Sequence, residues 1–546
     1  MEKRMLLAIV LSFLVLVIWS YLFSPQPPPQ TELKQAPVQE KEVGGSAKDK
    51  EEKDKNGKER VNAYIETGIE LPQKEIFVDT PLYAMVLETN GPSIKEFKLK
   101  EYYTTIDKRE LVDIVKAMGG NMPHFVWKVL WNKSTKFDVY TDKDTIKLEK
   151  GSNHETLNLE YKNESNDNVI HTFTFYPNSY KIDVTTKIIP NESAGNIEPK
   201  LYLNINGDEV KSKSYDSHSG FALYMNKTLT EVEFDEKKPT FEVSGSVQYV
   251  ALESTYFVSS LILNEQLPAH VRLMKEKGTI LKGEADLTVF KEDLKKGEVT
   301  YSVYLGPKDL SHLKVAGSNM DELVNFGWTN FIAKPLLYGM KFCNDYVKNY
   351  GVSIIILTIF VKIIFWPLSN KSYKSMKEMQ KIQPLLLKIR EKYKNDKEQM
   401  NRELMQLYRT YKINPMSGCL PIIVQIPVFF ALYRVLSASI ELRHAPFIWW
   451  IKDLSAPDRL FEFSFSIPLM DPPYGIPILT LLMGATMFIQ QKMSPPPGDP
   501  TQAKVMLLLP IIFTFMFINF PSGLVLYWLV NNILSIGQQY YIQKKM

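Results

Sequence analysis

A lysine interrupts one of the most apolar stretches of the chain. Lys362 lies within LTIFVKIIFWPL, residues 357–368. A lysine at the centre of a membrane helix raises the free energy of insertion by roughly 2.5–3.5 kcal/mol, so such a residue usually faces neighbouring helices or a water-filled cavity. The alternative is that its long stem carries the ammonium to the nearer membrane surface. In the first case the ammonium would attract anionic groups without covalent chemistry.

Polar side chains in other apolar stretches favour the first alternative. Thr358 lies one helical turn from Lys362 on the same face, and further polar residues are Gln425, Asn519, Asn531 and Asn532. A single buried amide usually joins two helices and contributes around 0.6 kcal/mol. Several of them together with a cation predict a hydrated groove between helices.

No pattern in the sequence indicates a reaction centre. There is no phosphate-binding glycine loop, HExxH or GxSxG motif, and the seven histidines show no ligand spacing and avoid the apolar stretches. We therefore expect no catalytic residues, no cofactor and no metal. We expect isolated residues such as His171 and Asp183 to be ordinary residues of the β-sandwich that the strand pattern described below predicts. A net charge of +4 provides no bulk positive field for nucleic acid. The two cysteines, Cys343 and Cys419, exclude a disulfide scaffold.

The N-terminal part predicts a membrane anchor followed by a tether. Residues 5–23 are apolar and uncharged, long enough to cross a hydrocarbon core of about 30 Å. We assign residues 1–23 to an uncleaved anchor span, with a cleaved signal peptide as the alternative. Residues 24–60 are rich in proline, lysine and glutamate, which predicts a disordered linker.

Residues 61–317 change to the alternating pattern of β-strands. Segments such as HTFTF (171–175) and KIDVTTKI (181–188) are separated by turn residues, which predicts a large β-sandwich domain outside the membrane. Residues 321–350 then interleave aromatic and charged residues at helical spacing. We expect an amphipathic helix at the membrane surface, kinked or broken at Pro335, with a core helix of the sandwich as the alternative.

Five further apolar stretches make six predicted spans in total. They cover residues 352–368, 419–436, 475–489, 505–520 and 524–536. The segment between the first two holds nine lysines and three arginines against five acids, which places it in the cytoplasm. Both termini then lie in the cytoplasm, the sandwich lies outside, and Cys343 and Cys419 lie on opposite sides of the membrane as free thiols.

The cytoplasmic segment, residues 369–412, has two apolar seams at helical spacing. Met376 and Met379 lie on one seam and Met400 and Leu404 on the other, with Asn395 and Asp396 at the turn between them. This pattern predicts a helical hairpin. Its methionines favour adaptable binding of a partner, and a solvated coiled-coil spacer is the alternative.

Long stretches of the chain resemble the YidC family of bacterial membrane-protein insertases, in the form with a large periplasmic domain. The resemblance is carried by INPMSGCLPIIVQIPVFFALYRVL (413–436), ELRHAPFIWWIKDLSAPD (441–458), MFIQQKMSP (487–495) and FPSGLVLYWLVNNILSIGQQ (520–539). It implies an anchor span, a five-helix membrane core over residues 352–546 and a periplasmic β-supersandwich. It also implies a positively charged groove that is open to the cytoplasm and to lipid.

The resemblance also assigns residues to this groove. Its cation falls on Lys362, where many relatives carry arginine, so a bidentate pairing with a carboxylate is replaced by attraction to a compact ammonium. Thr358, Gln425 and Asn532 match polar groove positions, and the short basic end QKKM (543–546) is similar to a ribosome-facing tail. The implied partners are nascent membrane proteins, the Sec translocon, the ribosome and the bilayer of the inner membrane.

We therefore interpret the chain as an insertase that moves hydrophobic segments laterally into the membrane, without covalent chemistry or nucleotide hydrolysis. One alternative is a secondary transporter or channel, although the sequence shows no inverted pair of broken helices. Another is a sugar-processing enzyme, because sandwiches of this family resemble galactose mutarotase. We find no carboxylate and histidine constellation for that activity.

Overall fold

The structure is a computed structural model that describes residues 74–89, 92–119, 124–130, 137–163, 167–189, 200–209, 218–235, 238–263, 268–276, 279–286, 298–411, 413, 420–494 and 500–545. The predicted anchor (1–23), the predicted linker (24–60) and Cys419 lie outside these residues. Cys343 is a free cysteine.

The first part of the described chain is built from strands. In chain order these are β1 (Glu75–Asp79), β2 (Tyr83–Glu88), β3 (Ser93–Tyr103), β4 (Leu111–Asp113), β5 (Phe125–Leu130), β6 (Phe137–Thr141), β7 (Thr145–Lys147), β8 (Glu155–Asn163), β9 (Asn168–Phe175), β10 (Lys181–Ile189), β11 (Lys200–Asp208), β12 (Gly220–Met225), β13 (Thr228–Val232), β14 (Thr240–Glu253), β15 (Phe257–Ile262), β16 (Pro268–Lys275), β17 (Ile280–Asp286) and β18 (Glu298–Pro307).

These strands form two sheets that share β14. The first sheet runs β7-β1-β2-β3-β5-β11-β17-β16-β14, with β4 also paired to β3. The second runs β6-β8-β9-β10-β18-β15-β14-β12-β13. Strand β14 pairs with β16 over residues 240–246 and with β12 and β15 over residues 247–253, so it passes from one sheet into the other. Only the β1–β7 pairing is parallel among the described strands.

The two sheets pack face to face. Alternate residues of β9 are buried, and the ring of Phe173 on this strand meets the ring of Trp127 on β5 edge-on at 5.2 Å. Tyr161 on β8 donates a hydrogen bond of 2.7 Å to the carbonyl of Thr89 at the end of β2. The period-two pattern in HTFTF therefore produces the predicted sandwich, because one face of each strand is buried against the other sheet.

Helices dominate the rest of the chain. They are α1 (Ile114–Gly119, within the sandwich), α2 (Leu310–Ala316), α3 (Asn330–Val347), α4 (Tyr350–Lys392), α5 (Lys397–Thr410), α6 (Leu420–Ala438), α7 (Ile478–Met493), α8 (Pro500–Phe517) and α9 (Ser522–Lys545), with a small hairpin of β19 (Leu460–Phe463) and β20 (Tyr474–Ile476) between α6 and α7. Helix α9 packs against α4 and α7, and α3 packs against α4 and α6.

Several helix boundaries differ from those predicted. Helix α3 continues through Pro335 and does not break there. Helix α4 joins the predicted span 352–368 and the first arm of the predicted hairpin in one helix of 43 residues. Helix α7 begins at Ile478 because Gly475, the predicted start, belongs to strand β20.

Within the described residues, α4 alone is long and apolar enough to cross a membrane, and shorter apolar helices cover Val424–Ala438 and Met506–Phe517. Large apolar side chains are nevertheless exposed on several helices, a surface that is unfavourable in water and typical of contact with lipid. Examples are Phe360, Ile363, Ile364, Ile426, Leu508 and Ile512.

Candidate functional site

Lys362 points into the helical bundle and not towards its apolar surface. Only 8% of this residue is exposed. Its Nζ atom donates a hydrogen bond of 2.6 Å to Ser535 Oγ and a longer one of 3.5 Å to Asn531 Oδ1, both on α9. The lysine stem therefore crosses between two helices instead of extending to the membrane surface.

The neighbours of Lys362 follow from helical spacing. Asn531 and Ser535 are four residues apart, so they occupy one face of α9, and the Ser535 hydroxyl also donates to the Asn531 carbonyl at 2.7 Å. Gln425 reaches the same place from α6: its Nε2 donates to Asn531 Oδ1 and to Tyr527 Oη, both at 3.2 Å. Asn531 is thus the acceptor shared by α4 and α6.

A cleft opens beside this cluster, between α4, α6 and α9. Polar and apolar side chains both line it, so a peptide segment in the cleft would contact a cation and an amide as well as hydrocarbon. The lining residues are Val361, Lys362, Phe365, Leu368, Ser369, Gln425 and Asn531.

The ammonium of Lys362 is not neutralised within the described part of the chain. Its hydrogen-bond partners, Ser535 and Asn531, are uncharged, and no described carboxylate forms an ion pair with it. An ammonium has three N–H donors, so at least one remains for water or for an incoming anion. The site therefore has the electrostatic character of an anion attractor in a medium of low dielectric constant.

The other predicted groove residues occupy different positions. Thr358 is buried one turn away and its hydroxyl donates to the carbonyl of Ile354 on its own helix at 2.6 Å. Asn532 points in a different direction from α9, where its Nδ2 donates to Thr486 Oγ1 of α7 at 3.3 Å. Asn531, and not Asn532, lines the cleft.

Sequence reasoning missed Ser535 and Ser369. Ser535 contributes the shortest hydrogen bond to Lys362, and its position four residues after Asn531 is the signal that identifies it. Ser369 lies seven residues, two helical turns, after Lys362 on α4, just beyond the apolar stretch. Neither serine stands out by its residue type alone.

The predicted hairpin residues lie outside the cleft. The second half of α4 packs against α5 through a small apolar cluster that contains Met379, Met400 and Leu404, while Met376 is partly buried outside it. The buried members of this cluster are Ile382, Leu386, Leu404 and Ile413.

Comparison with known proteins identifies the family. Residues 75–338 match the model of the YidC periplasmic domain, and residues 342–546 match that of the 60Kd inner membrane protein. The chain is 41% identical to the membrane protein insertase YidC of Syntrophus aciditrophicus and 39% identical to that of Geotalea daltonii, over the full length of both chains in each case. The chain belongs to the YidC family.

Membership of the YidC family places a periplasmic domain in the sandwich and an inner-membrane part in the helices. Among solved structures the chain is also similar to a putative aldose 1-epimerase of Escherichia coli K12, at 9% identity over 43% of this chain and 99% of the other, with a TM-score of 0.26. An α-galactosidase of Lactobacillus brevis gives 8% identity over 44% and 40%, with a TM-score of 0.24. At these scores neither likeness supports a sugar-processing function.

Proposed function

We propose that this YidC family member inserts nascent hydrophobic segments laterally into the inner membrane through the cleft between α4, α6 and α9. The observation that carries the proposal is the inward position of Lys362, whose Nζ bonds only uncharged groups among the described residues. A charge held in this way attracts an acidic residue of the segment that must cross the membrane. The chemistry is non-covalent and needs no nucleotide or cofactor.

The driving force for insertion lies in the substrate. Each leucine-like residue contributes roughly −0.3 to −0.6 kcal/mol at the membrane centre, so a segment of about fifteen gains about −5 to −9 kcal/mol. The polar end that crosses with it opposes the process, because a bare charge in hydrocarbon costs from a few to more than about ten kcal/mol. A polar cleft lowers this kinetic barrier without changing the equilibrium.

The packing around α9 is polar on the C-terminal side of the cleft and apolar on its N-terminal side. Beyond Ser535 in the C-terminal direction, Gln538 Nε2 donates to Asn370 Oδ1 at 2.9 Å, so polar contacts between α9 and α4 continue. In the N-terminal direction Leu524 and Val525 are fully buried, as is Leu454 of the adjoining loop. This asymmetry supports a groove that opens to the cytoplasm and is closed to the periplasm, which would prevent leakage of ions.

The remaining topology belongs to the same proposal. We infer six spans, including an anchor over residues 1–23, a helical hairpin in the cytoplasm and both termini on the cytoplasmic side, because the positively charged segments then all face inward. The hairpin and the short basic end would contact the ribosome, and the membrane helices would contact nascent chains and the Sec translocon. A transporter or channel is not favoured by the family.

Charge reversal at Lys362 tests the role of the cleft. We expect Lys362→Glu to disfavour substrates whose translocated segment is acidic and to favour basic ones, because the sign of the attraction changes. The measurement is insertion into proteoliposomes of two substrates that differ only in this charge.

Two matched variants separate charge from shape. Lys362→Arg retains the charge and should retain the preference, whereas Lys362→Gln should abolish the preference in both directions. Equal insertion of both substrates by the wild type and by Lys362→Glu would rule out a role for the cation. Flux of small ions through vesicles that contain the wild-type protein would favour the channel alternative.

A further inference from the structure

The loop between α6 and α7 exposes large apolar side chains. Trp449, Phe461 and Leu469 are 84%, 70% and 75% exposed, and together with Phe331 and Tyr346 of α3 they are the five most exposed large apolar residues in the described part of the chain. Residues of this kind normally lie in a core or an interface. Three of the five are in this single loop of residues 439–477.

The backbone of the loop directs these three side chains outward. Trp449, Phe461 and Leu469 have φ angles of 54°, 53° and 66°, in the left-handed region that bulky side chains avoid. They are the only apolar residues among the described non-glycine residues with positive φ. Such a backbone conformation is strained for a bulky side chain and persists only where the surroundings stabilise it. At Phe461 the pairing of β19 with β20 also shifts, as in a β-bulge that redirects a side chain.

The loop is fastened to the ends of membrane helices. Near Trp449, the Nδ2 of Asn349 donates a hydrogen bond of 3.0 Å to the carbonyl of Phe447, and the Phe447 ring packs on Gly351 in the first turn of α4. Near the other two residues, Arg459 Nη1 donates to the carbonyl of Ile518, just after α8, at 2.8 Å. The exposed side chains therefore lie beside the ends of α4 and α8 in fixed positions.

The turn between β19 and β20 is held at the end of α8 by a second contact. Asn519, which also follows α8, donates from Nδ2 to the carbonyl of Leu469 at 3.1 Å, and its Oδ1 accepts the backbone N–H of Asp471 at 2.9 Å. The position of Leu469 is therefore set by a bidentate contact with the helix end. This assigns a structural role to Asn519, a polar residue at the edge of an apolar stretch.

We propose that Trp449, Phe461 and Leu469 insert into the periplasmic leaflet of the bilayer and bind lipid there. Lipid is the occupant because the loop that carries the three side chains is fastened to the ends of α4 and α8, helices whose own exposed side chains, such as Phe360 and Leu508, are apolar. Tryptophan is also enriched at the level of the lipid headgroups, where its ring is apolar and its N–H is polar. The loop would set the depth of α4 and α8 in the bilayer, a role that depends on the membrane location of the family and not on the function of the cleft.

Spin labels measure the depth of these positions directly. In the full-length protein with Cys343→Ser and Cys419→Ser, a cysteine is introduced at 449, 461 or 469, labelled with a nitroxide and reconstituted into vesicles of phosphatidylcholine and phosphatidylglycerol. Oxygen concentrates in the bilayer and a polar nickel complex remains in water. We expect all three labels to be relaxed more by oxygen than by nickel.

Two reference positions calibrate the measurement. Phe360→Cys, on the exposed apolar surface of α4, provides the lipid reference, and Lys147→Cys, exposed on β7 of the sandwich, provides the water reference. Labels at 449, 461 and 469 that behave like position 147 would overturn the proposal. Labels that neither reagent reaches would overturn it as well, since they would indicate contact with a second protein molecule.

Discussion

Two neighbouring asparagines on α9 show how a site depends on the direction of single side chains. Asn531 accepts hydrogen bonds from Gln425 and Lys362, whereas Asn532 bonds Thr486 on another helix. Successive residues of a helix are rotated by about 100° around its axis, so adjacent asparagines face different neighbours. Among the residues that the structure describes, Asn531 alone bonds both the cation of the cleft and a side chain of α6.

This arrangement predicts different effects for the two asparagines. We expect Asn531→Leu to weaken the preference for acidic translocated segments about threefold, the equivalent of one interhelical hydrogen bond of about 0.6 kcal/mol, because Lys362 then keeps only Ser535 as an acceptor. Asn532→Leu is the matched control: it should lower the melting temperature of the detergent-solubilised protein but leave the preference unchanged. The preference is measured with the same pair of substrates in proteoliposomes. A change of preference in the Asn532 variant alone would contradict the assignment.

The second half of α4 and helix α5 form a satellite element with its own small core. Leu386 is buried in it, with 4% exposure, and the next residue, Leu387, is 51% exposed. The cluster holds only a few apolar residues, so each of them contributes a large part of the free energy that packs α5 against α4. Such an element opens more easily than the sandwich or the main helical bundle.

Truncation of one buried leucine should therefore release α5. We expect Leu386→Ala to reduce amide hydrogen-exchange protection throughout α5 by about thirtyfold or more, since removal of a buried leucine costs about 2–5 kcal/mol. Leu387→Ala, at the exposed neighbour, should leave the protection of α5 within a small factor of the wild type. Equal exchange in the two variants would show that these helices do not pack as described.

A buried ion cluster joins the sandwich to the helical part of the molecule. Lys341 on α3 lies 2.6 Å from Asp309, the N-cap residue of α2 at the end of the sandwich, and 3.1 Å from Glu441 after α6. All three side chains are at most 21% exposed. Nearby, the guanidinium of Arg443 lies 5.4 Å from the ring centre of Phe257 on β15. Charged and aromatic contacts therefore fix the periplasmic domain on the membrane part.

Removal of the shared cation should weaken this junction. We expect Lys341→Met to destabilise the folded protein by about 3 kcal/mol, because two buried carboxylates then remain without a neutralising cation. Lys334→Met breaks a more exposed ion pair with Glu322 and should cost at most about 1 kcal/mol. Thermal melting of both variants in detergent tests the difference, and equal melting temperatures would contradict it.

The two carboxylates of the cluster also predict a pH dependence. Burial raises the pKa of Glu441 above its usual value, although Lys341 opposes this shift. Burial acts in the same direction on Asp309, but Lys341 and the backbone amides of Ser311 and His312 together hold its pKa below the usual value. The folded protein thus binds the Glu441 proton more tightly than the unfolded chain does, and the Asp309 proton less tightly.

Glu441 and Asp309 contribute to the pH dependence of folding stability with opposite signs. As the pH falls from neutrality, protonation of Glu441 favours the folded state, and the contribution of Asp309 is lost only below the unfolded value of about 3.9. We expect this cluster to cause no loss of folding stability as the pH falls to about 5, and a loss of folding stability below about pH 4. Asp309→Asn, which preserves helix capping, should remove the loss below pH 4 in thermal melts. A wild-type melting temperature that falls steadily between pH 7 and pH 5, and does not fall in Asp309→Asn, would contradict the assigned pKa directions.

Much of the architecture was predictable because it depends on patterns that are local in sequence. Alternation in residues 171–175 and 181–188 indicated paired strands, and the apolar stretches indicated most of the helices. Motifs such as those in residues 413–436 and 520–539 indicated the family. The presence of a cation within an apolar stretch likewise singled out Lys362 before any contact was known, since hydrocarbon penalises a charge wherever the helix packs.

The partners of that cation were decided only by the packing of the helices. The selection of Asn531 over Asn532, the contribution of Ser535, and the junction of Lys341 with Asp309 and Glu441 all join residues that are far apart in the chain. Such contacts depend on the rotation and depth of each helix relative to its neighbours, and hydropathy does not encode either quantity. The outward direction of Trp449, Phe461 and Leu469 is another case, because it accompanies positive φ angles in a loop that is bonded to the ends of α4 and α8.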